Sequence, residues 1–156
     1  MLTKKNIIKK LIKKKITISI AESCTGGRLA SEFTSVKDSS KIFEFGLVTY
    51  SNKSKVNILK IPKNILKKYG SVSKEVCLIM LKNQAKLGRA DISIAITGIA
   101  GPGGGTKKKP IGLVFVGIKK ARTIIIKKCF FKNKGRSYIQ KAAINKSFTL
   151  VSGFLK

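Results

Sequence analysis

The chain contains no histidine. That absence removes every design in which an imidazole moves the proton, Ser-His-Asp and Cys-His alike. Cysteine is scarce too: Cys24, Cys77 and Cys129 are odd in number and lack metal-type spacing, so a zinc site is not expected. They fit a reduced, cytoplasmic setting. Acidic residues number 6 against 34 basic ones, a formal net charge of +28. Arginine is nearly absent from that excess, with only Arg28, Arg89, Arg122 and Arg136. Lysine rises here together with Ile and Asn, which reads as a compositional bias, whereas a nucleic-acid surface draws on the arginine fork. Specific nucleic-acid binding is therefore not expected, although the charge favours anionic ligands by steering. Long apolar runs are missing as well, so no membrane span is expected. The lysine-rich start before Ile16–Ile20 imitates a signal peptide. Its apolar part is too short and is broken by Glu22, so export or lipidation is not expected.

What is present fits one domain, residues 1–156, long enough for a single core. Residues 3–14 read as a helix with Ile7, Ile8, Leu11 and Ile12 on one face. A membrane-surface helix would look similar, but a packed helix with a solvated lysine face explains the pattern more simply. Strands are expected at 16–20, 42–49, 91–96, from just after Pro110-Ile111-Gly112 to about Ile118, and at 123–131, the last two as an antiparallel hairpin. Helices are expected at 28–35, 53–59, from Pro62 to near Gly70, from Ser73 to Leu87, and at 137–155. The 73–87 helix should turn Val76, Ile79, Met80, Asn83 and Leu87 inward, with Ser73 as its N-cap. Cys77 and Cys129 read as inert core residues. The sum is an α/β fold with helices covering a mixed sheet.

Polar clusters fall at three strand ends: Ser23-Cys24-Thr25-Gly26-Gly27, Tyr50-Ser51-Asn52, and the loop Thr97 to Gly105. Open α/β sheets bind ligands beyond such ends, so the three are expected to converge. The glycine loop follows a strand but carries no Gly-Lys-Ser/Thr, so it is not a P-loop. Lysine is the obvious base for a serine nucleophile once its pKa is lowered. Tyr50 and Lys55, five residues apart, supply a relay and a base, although thirty lysines make chance pairings easy. Cys24 could be the nucleophile, yet Glu22 would oppose thiolate formation. Ser23 or Thr25 also suits the N-cap of the following helix, and the residues alone leave cap and nucleophile both open.

The stretches Ala21-Glu22-Ser23-Cys24-Thr25-Gly26-Gly27, Val48-Thr49-Tyr50-Ser51-Asn52 with Lys55, and Tyr69-Gly70-Ser71-Val72-Ser73 stand in a telling order. Thr97-Gly98-Ile99-Ala100-Gly101-Pro102-Gly103-Gly104 and Lys109-Pro110-Ile111-Gly112 follow them. Together they resemble the C-terminal domain of the competence/damage-inducible protein CinA family, over nearly the whole chain. Stand-alone members are nicotinamide mononucleotide deamidases. The resemblance implies a three-layer α/β/α sandwich with a mixed parallel and antiparallel sheet, no metal or other cofactor, and a homo-oligomer. It implies hydrolysis of the carboxamide of nicotinamide mononucleotide to nicotinate mononucleotide and ammonia. Ser23 then stands as nucleophile, with Lys55 and Tyr50 as base and proton relay. The N–H groups of Thr25, Gly26 and Gly27 would receive the oxyanion, while Asn52, Thr97, Gly98 and Arg136 would hold substrate. The family carries a Gly-Asp-Arg run before its final helix and an Arg four residues later. Here Asn133-Lys134-Gly135-Arg136 keeps only the first Arg, and Gln140 replaces the second. The larger members' N-terminal nucleotide-processing domain has no counterpart in these residues. A nucleotide-binding module of the same fold without turnover is the alternative reading, and a basic nucleic-acid binder the more distant one.

Overall fold

A five-stranded sheet in the order β2-β1-β3-β4-β5 forms the middle layer of the computed structural model, which describes residues 2–155. β1 (Ile18–Glu22) runs parallel to β2 (Phe43–Val48) and β3 (Ile92–Gly98), while β4 (Leu113–Lys120) and β5 (Thr123–Phe130) continue antiparallel. The carboxyl ends of β1, β2 and β3 therefore share one edge. β1 and β3 are buried on both faces, with isoleucines on one and small residues such as Ser19, Ala21, Ser93 and Ala95 on the other.

The two faces of these central strands differ in size. Ile18, Ile20, Ile92, Ile94 and Ile96 enter one core with α1 (Lys4–Lys14), α2 (Arg28–Thr34) and α6 (Arg136–Gly153). Phe33 of α2 and Phe148 of α6 stack there with ring centroids 4.6 Å apart. On the other face Ala21 and Ala95 lie under α5 (Lys74–Leu87), with Cys77, Met80 and Leu81 packed against them. The same strands carry Ser19 and Ser93, whose hydroxyls bond at 3.1 Å. Gln84 reaches down from α5 to the Ser19 and Ile94 carbonyls, so the small strand residues let the helix sit close to the sheet. α4 (Lys63–Tyr69) and the Leu59–Ile61 segment complete this layer. The architecture is the expected α/β/α sandwich.

Several expectations need correction. The inward face of α5 is Val76, Cys77, Met80, Leu81 and Gln84, whereas Leu87, the helix's last residue, is 60% exposed. Ile79 is only half-buried, and Asn83 turns its amide to the Leu59 carbonyl at 2.8 Å. Cys129 is not a core residue, because edge strand β5 has no neighbour beyond it among the described residues and leaves the thiol half-buried. Among the described residues no helix is long and apolar enough to cross a membrane.

Candidate active site

β1 delivers Ser23 at the carboxyl edge, and the chain then turns sharply into α2. The turn depends on Gly26 and Gly27, at φ +57° and +90°, a region that glycine enters without steric cost. The helix it leads into is capped neither by Ser23 nor by Thr25. Instead the Glu22 carboxylate accepts the N–H groups of Gly27 at 3.2 Å, Leu29 at 3.1 Å and Ala30 at 2.9 Å. Three of the amides that a helix start leaves without partners are thus satisfied by the residue before Ser23. Thr25 is fully buried and its hydroxyl has no partner among the described residues.

With the cap supplied by Glu22, the Ser23 hydroxyl is free for another partner. That partner is Lys55. Ser51 accepts the Ser54 N–H at 3.0 Å and caps α3 (Asn52–Asn57), which sets Lys55 one turn into the helix. Its Nζ donates to Ser23 Oγ at 2.9 Å and to the Thr49 carbonyl at 2.7 Å, with the Tyr50 carbonyl at 3.5 Å. Thr49 in turn donates its N–H to the Glu22 carbonyl at 2.8 Å. The two strand ends and the two side chains therefore close into one hydrogen-bonded ring.

Lys55 is only 1% exposed, and no carboxylate pairs with it among the described residues. Burial lowers its ammonium from the usual 10.5 to about 8. Negative charge on Cys24 would oppose that shift, but burial pushes the Cys24 thiol up to about 12, so it is neutral near pH 7. Cys24 is therefore a protonated neighbour and a poor nucleophile.

Ser23 and Lys55 open onto a cavity of about 400 Å³ that Tyr50, Thr97, Gly98 and Arg136 also line. Thr97 Oγ1 donates to the Ser71 carbonyl at 2.7 Å and ties the end of β3 to the opposite wall. Lys109 strengthens the same joint, donating to the Val72 carbonyl at 2.7 Å and to the Tyr69 carbonyl. Arg136 stands at the start of α6, its Nη1 on the Gly101 carbonyl at 2.9 Å and its Nη2 donating to the Tyr50 hydroxyl. The lining carries three cationic side chains, Lys55, Lys109 and Arg136, and no carboxylate. Such a cavity favours an anion.

Not every expected residue belongs to this lining. Thr25, Gly26 and Gly27 are not part of it. The Gly26 N–H is taken by the Ser23 carbonyl at 3.0 Å and the Gly27 N–H by Glu22, so neither is available to an oxyanion. The N–H groups of Cys24 and Thr25 have no acceptor among the described residues. Asn52 lines a separate groove on α3. Tyr50 is 57% exposed, and its hydroxyl is bonded to Arg136 rather than to Ser23 or Lys55. Sequence reasoning missed Lys109 and the cap made by Glu22. Gln140, visible in the sequence only as a departure from the family's pattern, donates its amide to the Cys24 carbonyl at 2.8 Å and ties α6 to the turn.

An α/β/α sandwich whose strand-end serine meets a buried lysine above a cationic cavity defines the class of domain. A model described as the CinA C-terminal domain matches residues 2–155, and the chain belongs to that family. A CinA-like protein of Prochlorococcus marinus is 43% identical over 150 residues, covering 93% of this chain and 35% of its own length. The chain thus spans about a third of the curated relatives it matches. Among solved structures, the competence/damage inducible protein CihA from Agrobacterium tumefaciens superposes with TM-score 0.92 at 30% identity. That match covers 98% of this chain and 96% of the other. A competence or damage-inducible protein from Enterobacter asburiae gives TM-score 0.92 at 26% identity, covering all of both chains.

Proposed function

We propose that the chain is a nicotinamide-nucleotide amidohydrolase, cleaving the carboxamide of nicotinamide mononucleotide to nicotinate mononucleotide and ammonia. The observation that carries the reading is the 2.9 Å approach of Lys55 Nζ to Ser23 Oγ in a chain without histidine. A lysine lowered to about 8 is neutral in a useful fraction of molecules near neutral pH, and its lone pair can then take the serine proton.

Ser23 Oγ attacks the carboxamide carbon and Lys55 accepts the hydroxyl proton. The tetrahedral oxyanion is received by the N–H group of Cys24, the first donor beyond the nucleophile and part of the cavity lining. The Lys55 ammonium returns its proton to the departing nitrogen, ammonia leaves, and a nicotinoyl ester stays on Ser23. Water then attacks the ester and gives its proton to Lys55, which passes it to Ser23 Oγ as the ester bond breaks and the acid leaves. Arg136, whose two acceptors are both neutral oxygens, keeps its full charge for the substrate phosphate. Assembly as a homo-oligomer and a cytoplasmic location belong to the same proposal.

Ammonia release from nicotinamide mononucleotide by purified protein tests the reading, with Ser23→Ala as its control. The expected result is turnover by the wild type and a loss of about a thousandfold or more in the variant, the scale of losing a covalent nucleophile. No release by the wild type, or release undiminished in Ser23→Ala, overturns it.

A further inference from the structure

Glu22 and Lys55 are the two charged side chains buried among the described residues, and only Lys55 has a place in the chemistry above. Glu22 is 1% exposed and makes no ion pair among the described residues. A carboxylate so buried is costly unless hydrogen bonds satisfy it, and here three backbone amides do. An ordinary helix cap comes from the residue flanking the first turn and could have been a serine or threonine. This one comes from the last residue of β1, five to eight residues upstream of its donors and next to Ser23.

We infer that Glu22 is a positioning residue that holds the Ser23 hydroxyl on Lys55. Its side chain fixes where α2 begins, and its carbonyl accepts the Thr49 N–H. The Thr49 carbonyl accepts Lys55 Nζ at 2.7 Å, and Lys55 meets Ser23 at 2.9 Å. The nucleophile is thereby fastened on both sides: through the carboxylate to the helix ahead, and through the backbone to the strand end that anchors the base. By occupying the Gly27, Leu29 and Ala30 amides, Glu22 takes them away from the cavity, whereas the N–H of Cys24, which lines it, has no acceptor among the described residues. The inference rests on the amidohydrolase reading of Ser23.

The test compares wild type with Glu22→Gln and Glu22→Asp. Glutamine keeps one acceptor oxygen but turns an amide NH2 donor toward N–H groups, and aspartate is one methylene too short. For folded protein, kcat is expected to fall about ten- to a hundredfold, the cost of a misplacement near 1 Å. KM should stay within about threefold. The pH limb set by Lys55 should not move, because the base itself is intact. Hydrogen exchange at Leu29 and Ala30 should quicken in both variants. A folded variant that keeps wild-type kcat overturns the inference, as does a displaced pH limb, which would mean that Glu22 acts through its charge. If neither variant folds, its role is architectural and the inference falls.

The rate at which a fluorophosphonate labels Ser23, mapped by peptide mass, separates this inference from the parent reading. Slower labelling in the variants supports positioning even where the wild type releases no ammonia. Labelling at the wild-type rate overturns it, and so does a wild-type Ser23 no more reactive than the exposed Ser31.

Discussion

Lys55 Nζ lies 2.9 Å from Ser23 Oγ and 2.7 Å from the Thr49 carbonyl, in the wall of a pocket whose lining carries no carboxylate side chain. The amine must be neutral to take a proton, and burial sets that change at about 8. Ammonia release, measured as kcat/KM from pH 6 to 10, should therefore rise with pH at one proton's slope and level off above about 8. Lys55→Arg, which cannot deprotonate, should lose about 10²- to 10⁴-fold at every pH. A flat profile would remove Lys55 as the base.

The same shift makes folding stability depend on pH. The folded pKa of Lys55, about 8, lies below its ordinary 10.5, so between these values the unfolded chain binds more protons than the folded one. Stability is accordingly reduced below pH 8, and the deficit disappears as pH rises toward 10.5. Lys55→Met carries no such proton. Its stability relative to wild type, read from urea midpoints at pH 7, 9 and 10, should be most favourable at pH 7 and decline steadily. The remaining ionisable groups are common to both proteins and cancel in the difference.

How much of this was legible in the sequence depends on the range of each interaction. The sandwich was legible because Ile18, Ile20, Ile92, Ile94 and Ile96 repeat with strand period, while caps such as Ser73 sit within four residues of what they cap. Ser23 and Lys55 could be named because the missing histidines narrowed the choice of base. Glu22 could not be read as a cap, since its partners are backbone amides, identical at every residue, and the distance to them is set by the turn. Lys109 was hidden among thirty lysines, and its carbonyl partners lie 37 and 40 residues away. Gln140 was seen as a departure from a pattern, but its bond to Cys24 spans 116 residues. Leu87 was misplaced because helical period says which face a residue shares, not where the covering sheet stops.

Tyr50 and Arg136 can be separated by substitution because the structure joins them to each other. The Tyr50 hydroxyl accepts from Arg136 and touches neither Ser23 nor Lys55, so Tyr50→Phe removes a neighbour of the arginine and not a proton relay. Its kcat should stay within about threefold of wild type. Arg136→Ala removes the cation itself. A charge-assisted hydrogen bond contributes about 1.5–3 kcal/mol, which at 1.4 kcal/mol per factor of ten is about a ten- to hundredfold rise in KM for the mononucleotide. The phosphate-free nucleoside should lose far less, since the interaction is absent from it. Steady-state ammonia release with both substrates distinguishes the roles. If Tyr50→Phe lowers kcat a hundredfold, the hydroxyl must leave Arg136 and serve the reaction directly. If Arg136→Ala weakens nucleoside and nucleotide equally, the arginine braces the Gly101 loop and the phosphate is held elsewhere.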